Sequence, residues 1–195
     1  TPGVQNYGTS PNLSTLGGGA AATSGLAVTF TSSTPGVCTI TSGGLLTFVT
    51  AGTCTINADQ AGDSTYLPAP QVSRSFTVSP IVPDAPTIGT ATAGDTQASV
   101  AFTAPANTGG TVITGYTVTV SPPHVPHVTG PSSPIVVNGL TNGQAYTFTV
   151  TADNSAGTGP ASGASNRVTP KATQTITFNN PGAQNFGTTP TLTAT

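Results

Sequence analysis

Charge is what this sequence lacks most. Three Lys and Arg stand against five acids, a net charge of −2 at pH 7, and only 4% of the 195 residues are charged, where ordinary domains carry about 25%. All the acids are Asp (59, 63, 84, 95 and 153), and Glu is absent. Nucleic-acid binding needs several cations to neutralise phosphates; Arg74, Arg167 and Lys171 cannot form such a footprint, so that class is excluded. No apolar run approaches the ~18 residues of a helical membrane span, so no span is read. Met and Trp are absent. With no start residue and no charged-then-apolar opening, the sequence reads as an internal piece of a longer, exported protein.

Low charge also argues against disorder. Gly 24 and Pro 18 together make 42 of the 195 residues, near the low-complexity range. Disorder, however, combines few apolar residues with high net charge, and here the charge is negligible and the apolar residues are patterned. Thr contributes 40 residues, a bias toward strands over helices.

Apolar residues recur at every second position, and no helical periodicity competes. Tyr146, Phe148, Val150 and Ala152 alternate with Thr147, Thr149 and Thr151. Val100/Phe102, Tyr116/Val118/Val120 and Ile135/Val137 repeat the pattern, as do Val28/Phe30, Cys38/Ile40, Leu46/Phe48, Cys54/Ile56 and Phe76/Val78 earlier. Turn signals separate these runs: Thr34-Pro-Gly, Ser42-Gly-Gly, Ala51-Gly, Asn107-Thr-Gly-Gly and Asn142-Gly. Short, half-buried, evenly punctuated strands predict an all-β fold of tandem antiparallel β-sandwiches. Boundaries fall at the proline-rich Ser79-Pro-Ile-Val-Pro-Asp-Ala-Pro86 and at Thr169-Pro-Lys-Ala-Thr173, where prolines disfavour central pairing and stiffen the chain. The expected units are 1–80, 81–170 and 171–195.

Residues 82–170 resemble a fibronectin type III domain. The resemblance rests on Val82-Pro-Asp-Ala-Pro-Thr87, Val100-Ala-Phe102 (where the family usually has Val-x-Trp), Ile113-Thr-Gly-Tyr-Thr-Val-Thr-Val120, Gly139-Leu140 with Tyr146 six residues on, and Thr151–Ser162. It implies a sandwich with Tyr146 as tyrosine corner. The Arg-Gly-Asp of some members is missing, so integrin binding is not carried over. Residues 1–79 are similar to a bacterial immunoglobulin-like repeat of large surface proteins, through Ser24–Ser33, Val37–Ile40, Ala51–Gly62, Tyr66 and Ser75–Val78. Gly17-Gly-Gly19 looks like a local insertion there. Tyr66 is expected as this unit's corner residue, its ring packed and its hydroxyl bonded to backbone.

An internal repeat links the two ends. Asn180–Leu192 echoes Thr1–Leu13 at an offset of 180 − 1 = 179 residues, so the tail reads as the first strand region of a further immunoglobulin-like repeat. Gln174, Thr175, Ile176, Thr177 and Phe178 precede the echo, with Ile176 and Phe178 on one face. The first unit begins after its own copy of that strand would lie. The segment is therefore a candidate pairing strand for the next copy, although an arbitrary frame of the chain explains the same fact.

Few residues suggest chemistry. Cys38 and Cys54, one meander apart, read as a disulfide in an exported protein; two buried reduced cysteines are the competing reading. His124 and His127 lie among prolines that forbid a regular helix, so an exposed loop is read and no metal is expected. Asp59 and Asp63 lack the third carboxylate of a Ca²⁺ loop. Neither paired catalytic carboxylates nor a nucleophile with its base is recognisable, so no enzyme activity and no cofactor are expected. Lysine cross-links within a sandwich are excluded, because Lys171 is the only Lys and lies in a linker. Rows such as Thr147/Thr149/Thr151 suit solvent-facing strand positions.

The expectation is a structural repeat module of an extracellular protein at the bacterial cell surface. It would form a stalk or filament by head-to-tail association with identical chains or neighbouring repeats. The alternatives are a spacer or glycan-binding accessory module of a secreted polysaccharide-degrading enzyme, or a ligand-binding adhesin domain, with surface glycans as candidate partners.

Overall fold

The computed structural model describes residues 3–13, 20–123, 125–177 and 186–187, and these contain thirteen strands and no helix. They form two β-sandwiches in sequence, as the alternating pattern implies.

The first sandwich pairs a four-stranded sheet with a two-stranded one. In the larger sheet, β1 (Gln5–Asn6), β6 (Ala69–Ser79), β5 (Gly52–Gln60) and β2 (Thr29–Ser32) lie in that order. β1 runs parallel to β6, and the other pairs are antiparallel. Facing them are β3 (Cys38–Ile40) and β4 (Leu46–Phe48). This small sheet is extended by Leu13 N–H to Gly44 O (2.8 Å) and Leu46 N–H to Pro11 O (2.9 Å). Cys38, Leu46, Phe48, Cys54, Ile56, Phe76 and Val78 are its buried core, with Phe48 edge-on to Phe76 at 6.1 Å between centroids. Cys38 and Cys54 are joined by a disulfide (S–S 1.99 Å). It ties β3 to β5 and thus crosslinks the two sheets.

The second sandwich packs β10 (Val128–Gly130), β9 (Gly115–Ser121), β12 (Thr147–Asn154) and β13 (Gly157–Thr158) against β11 (Ile135–Asn138), β8 (Gln97–Thr103) and β7 (Thr87–Ala93). Burial alternates along β8, β9 and β12, which is the period-2 sequence pattern expressed as a core. Phe102, standing where the resemblance places Trp, packs tilted against Tyr116 at 4.7 Å. Tyr146 is 1% exposed, and its hydroxyl oxygen accepts the Thr141 N–H at 3.1 Å.

The end of this domain pairs differently from a regular strand. Ser162 N–H bonds Val150 O (2.9 Å) while the Ser162 hydroxyl accepts the Val150 N–H (3.0 Å). Three residues on, Ser165 N–H bonds Phe148 O (2.8 Å) and its hydroxyl accepts the Phe148 N–H (3.0 Å). Side-chain oxygens thus replace carbonyls in the ladder. Asn166 adds a two-point clasp, accepting the Ala91 N–H (2.8 Å) and donating to Ala91 O (3.0 Å) beside the register shift in β7. Among the described residues no buried side-chain polar atom lacks a partner.

Tyr66 departs from its expected role. It is 49% exposed, because Asp63 Oδ1 accepts the N–H groups of both Thr65 (2.7 Å) and Tyr66 (2.9 Å). This Asx turn carries the β5–β6 connection outward, so the ring does not enter the core. Gly17–Gly19 and His124 lie outside the described residues.

The crosslink spans 16 residues, a loop worth about 3 kcal/mol. A Cys38→Ala/Cys54→Ala variant is expected to lose about that much in the first domain. Guanidinium unfolding followed by domain-specific NMR signals should show the second domain's midpoint unmoved.

Candidate functional sites at a joint and two chain ends

Among the described residues, those weighed for metal binding lie apart. His127 Nδ1 lies 2.9 Å from the exposed Thr119 hydroxyl. Asp59 accepts from Gln71 Nε2 at 2.8 Å, and Asp63 is spent on its own turn. Among the described residues no three His, Cys, Asp or Glu side chains gather. The organised polar geometry lies instead where one sandwich meets the other, and where the chain leaves the second.

The joint is built around Gly109 and Gly110, which carry φ of +77° and +83°, a region glycine enters without strain. Gly109 O accepts the Ile81 N–H of the linker (3.0 Å), and Gly110 O accepts the Ala51 N–H of the first domain (2.7 Å). The Tyr7 ring lies so close to Gly110 that a Cβ there would sit 2.6 Å from its Cγ and Cδ2. Tyr7 is itself held by its N–H to Ser79 O (2.9 Å). The buried Asn154 side chain then ties the linker to the second sandwich: its Nδ2 donates to Ile81 O (2.7 Å) and Thr108 O (2.8 Å), and its Oδ1 accepts the Ala156 N–H (2.8 Å). Asp84 N–H bonds Asn107 O (3.1 Å). Pro83 is fully buried, against Gly159, where a Cβ would lie 2.2 Å from Pro83 O. The proline-rich linker is therefore anchored at Ile81, Pro83 and Pro86, while Val82 and Asp84 face solvent. Sequence reasoning read the glycine pair only as a turn and gave Asn154 no role, because both act through residues distant in the chain.

At the other end, Pro170 is fully buried. Its carbonyl accepts the Gly143 N–H (2.9 Å), and Lys171 N–H bonds Gly94 O (3.2 Å). Asp95 Oδ2 accepts both the N–H and the hydroxyl of Thr173 (3.1 and 3.2 Å). Asn142 Nδ2 donates to Asp95 Oδ1 (2.8 Å), while Asn142 Oδ1 accepts the Thr96 N–H (3.0 Å). The Asn142 amide and then the Thr173 N–H hold the Asp95 carboxyl below its ordinary range; desolvation opposes them, and the Thr173 hydroxyl adds the smallest lowering.

Beyond Thr173 the candidate pairing strand is exposed and unpaired from Gln174 to Thr177, with Ile176 95% exposed; Phe178 lies outside the described residues. Further on, Phe186-Gly187 repeats the turn of Tyr7-Gly8, with φ of +87° at Gly187 and +85° at Gly8.

Residues 84–168 match the family model of the fibronectin type III domain. No curated protein is significantly similar to the chain. Among solved structures, a crystal structure of titin domains is 19% identical with a TM-score of 0.46, over 74% of this chain and 54% of that one. The twitchin kinase region of C. elegans is 20% identical (TM-score 0.43), over 47% of this chain and 17% of that one. The FN1–FN3 domains of chicken CNTN1 are 16% identical (TM-score 0.43), over 63% and 44%. The chain thus spans about half the length of the titin structure and less of the others.

Two outcomes are expected. Gly110→Ala and Asn154→Ala should leave both sandwiches folded and loosen the joint, at about 1–3 kcal/mol for the unpaired backbone groups left by Asn154→Ala. Residual dipolar couplings should then report a broadened interdomain angle, and added salt should leave the wild-type angle unchanged, since the joint's contacts named here involve no charged side chain. Separately, the depressed Asp95 pKa means that its stabilisation is present above the ordinary carboxylate value and is lost as pH falls through the lower folded value. The Thr173 amide should therefore stay ordered from neutral pH down to about pH 4 and be released in stronger acid, as amide chemical shifts would follow.

Proposed function

We propose that the chain is a structural repeat module of an extracellular bacterial surface protein, building a stalk or filament in which Gln174–Phe178 supplies the leading strand of the next copy's first sandwich. One observation carries this reading: the tail repeats the opening of the first domain at an offset of 179 residues, down to the left-handed glycine of the Tyr7-Gly8 and Phe186-Gly187 turns. In that register, Gln174–Phe178 falls at 174 − 179 = −5 to 178 − 179 = −1 relative to the repeat start, ahead of the segment whose copy pairs with β6 and β4.

Several features support it. A fibronectin type III module belongs to a family of structural and binding domains, and its match covers residues 84–168. The joint gives consecutive sandwiches a set angle, which a stalk needs and an independent binding module does not. The serine-interrupted last segment of the second domain presents a poor template for strand addition beside β12. The Cys38–Cys54 bond suits an oxidising exterior, and near-zero net charge permits end-to-end contact without repulsion.

The intact chain is expected to form head-to-tail assemblies by electron microscopy and sedimentation. Deleting residues 171–195 should leave monodisperse monomers at the same concentration; assemblies that persist unchanged would show that the strand is not donated.

A further inference from the structure

The second sandwich grips its outgoing linker at the pole opposite the joint. Four bonds converge on three of the four linker residues from Pro170 to Thr173: Gly143 N–H to Pro170 O, Lys171 N–H to Gly94 O, and two from Thr173 to Asp95 Oδ2. Their partners lie on two turns, Gly94–Thr96 and Asn142–Gly143, which are tied to each other by Asn142 to Asp95 and Asn142 to Thr96. Leu140 N–H to Thr96 O (2.9 Å) fastens the same turns to the buried Leu140. Thr96 has a left-handed φ of 54°, a strained setting for a β-branched residue that aims its N–H at Asn142. A linker serving only as a tether would not need a carboxylate, an amide and a strained turn to hold it.

We infer that this pole is a docking surface for the first-type sandwich of the next copy, and that Asp95 is the positioning residue that sets the direction in which Gln174–Phe178 is presented. The inference rests on the strand-donation reading. Thr173 is held and Gln174 follows at once, and one extended residue reaches about 3.5 Å. A sandwich that takes Gln174–Phe178 as a strand must therefore abut the two turns, since facing sheets alone are about 10 Å apart. The pole and the Gly109–Gly110 joint then alternate along the array, each fixing one angle.

The latch is tested on the intact chain. In Asp95→Ala the hydrogen-exchange protection of the Thr173 amide should fall at least about tenfold, with that of Val150 in β12 unchanged as the fold control. Asn142→Ala should lower it in the same direction, because it frees the carboxylate without removing it. Thr173 protection equal to wild type in both variants overturns the latch. In assemblies, Asp95→Ala should still join subunits while electron microscopy shows a shorter persistence length than wild type; assemblies as straight as wild type overturn the docking surface. Failure of the intact chain to assemble at all defeats strand donation, and with it the docking surface, while Thr173 exchange still decides the latch.

Discussion

Burial of alternate side chains between two facing sheets holds each unit together, and this chain has little else to draw on. With so few charges, stability comes from apolar area and from neutral hydrogen bonds. The second sandwich satisfies the requirement amply: its core runs from Ala91 through Phe102, Tyr116 and Phe148 to Val168. The first has a smaller described core, centred on Leu46, Phe48, Ile56 and Phe76, and a covalent crosslink between its sheets compensates. Cys38 and Cys54 are themselves fully buried, so the bond occupies the position of a core contact.

Neutral side chains then finish what backbone pairing leaves open. Ser162 and Ser165 stand in for ladder carbonyls, Asn166 clasps the irregularity in β7, and Thr34 Oγ1 accepts the Thr55 N–H at 2.9 Å. Hydroxyls and amides on short stems do this with small entropic loss. Their local pairing also makes a segment such as 158–168 unattractive to foreign strands. Unpaired sheet edges invite pairing with other chains, and the Ser-mediated pairing along this segment lowers that tendency there.

The two ends of the second sandwich have the same logic with different chemistry. At one, glycine removes side chains so that Tyr7 and Ile81 can come against the backbone; at the other, a carboxylate and an amide reach out to hold a passing linker. Both convert a flexible connection into a defined angle. Extended arrays derive stiffness from such connections, because each sandwich is already rigid and bending concentrates where one meets the next.

What the sequence determined by itself was everything carried by local periodicity. The strands around Cys38/Ile40, Leu46/Phe48 and Tyr116–Val120 were legible because a half-buried strand must alternate, and the link between the two chain ends was legible because it is a literal repeat. Tyr146 was readable from its spacing to Leu140, but Tyr66, with a similar setting, was not, since an Asx turn at Asp63 decided where its ring went. Only the tertiary structure revealed Asn154, the Gly109–Gly110 contact with Tyr7, and the Asp95–Thr173 latch. Each depends on groups far apart in the chain, 73 residues for Asn154 and Ile81 and 78 for Asp95 and Thr173. No periodicity encodes such a distance; it exists only once two sandwiches have folded and brought their poles to the linkers.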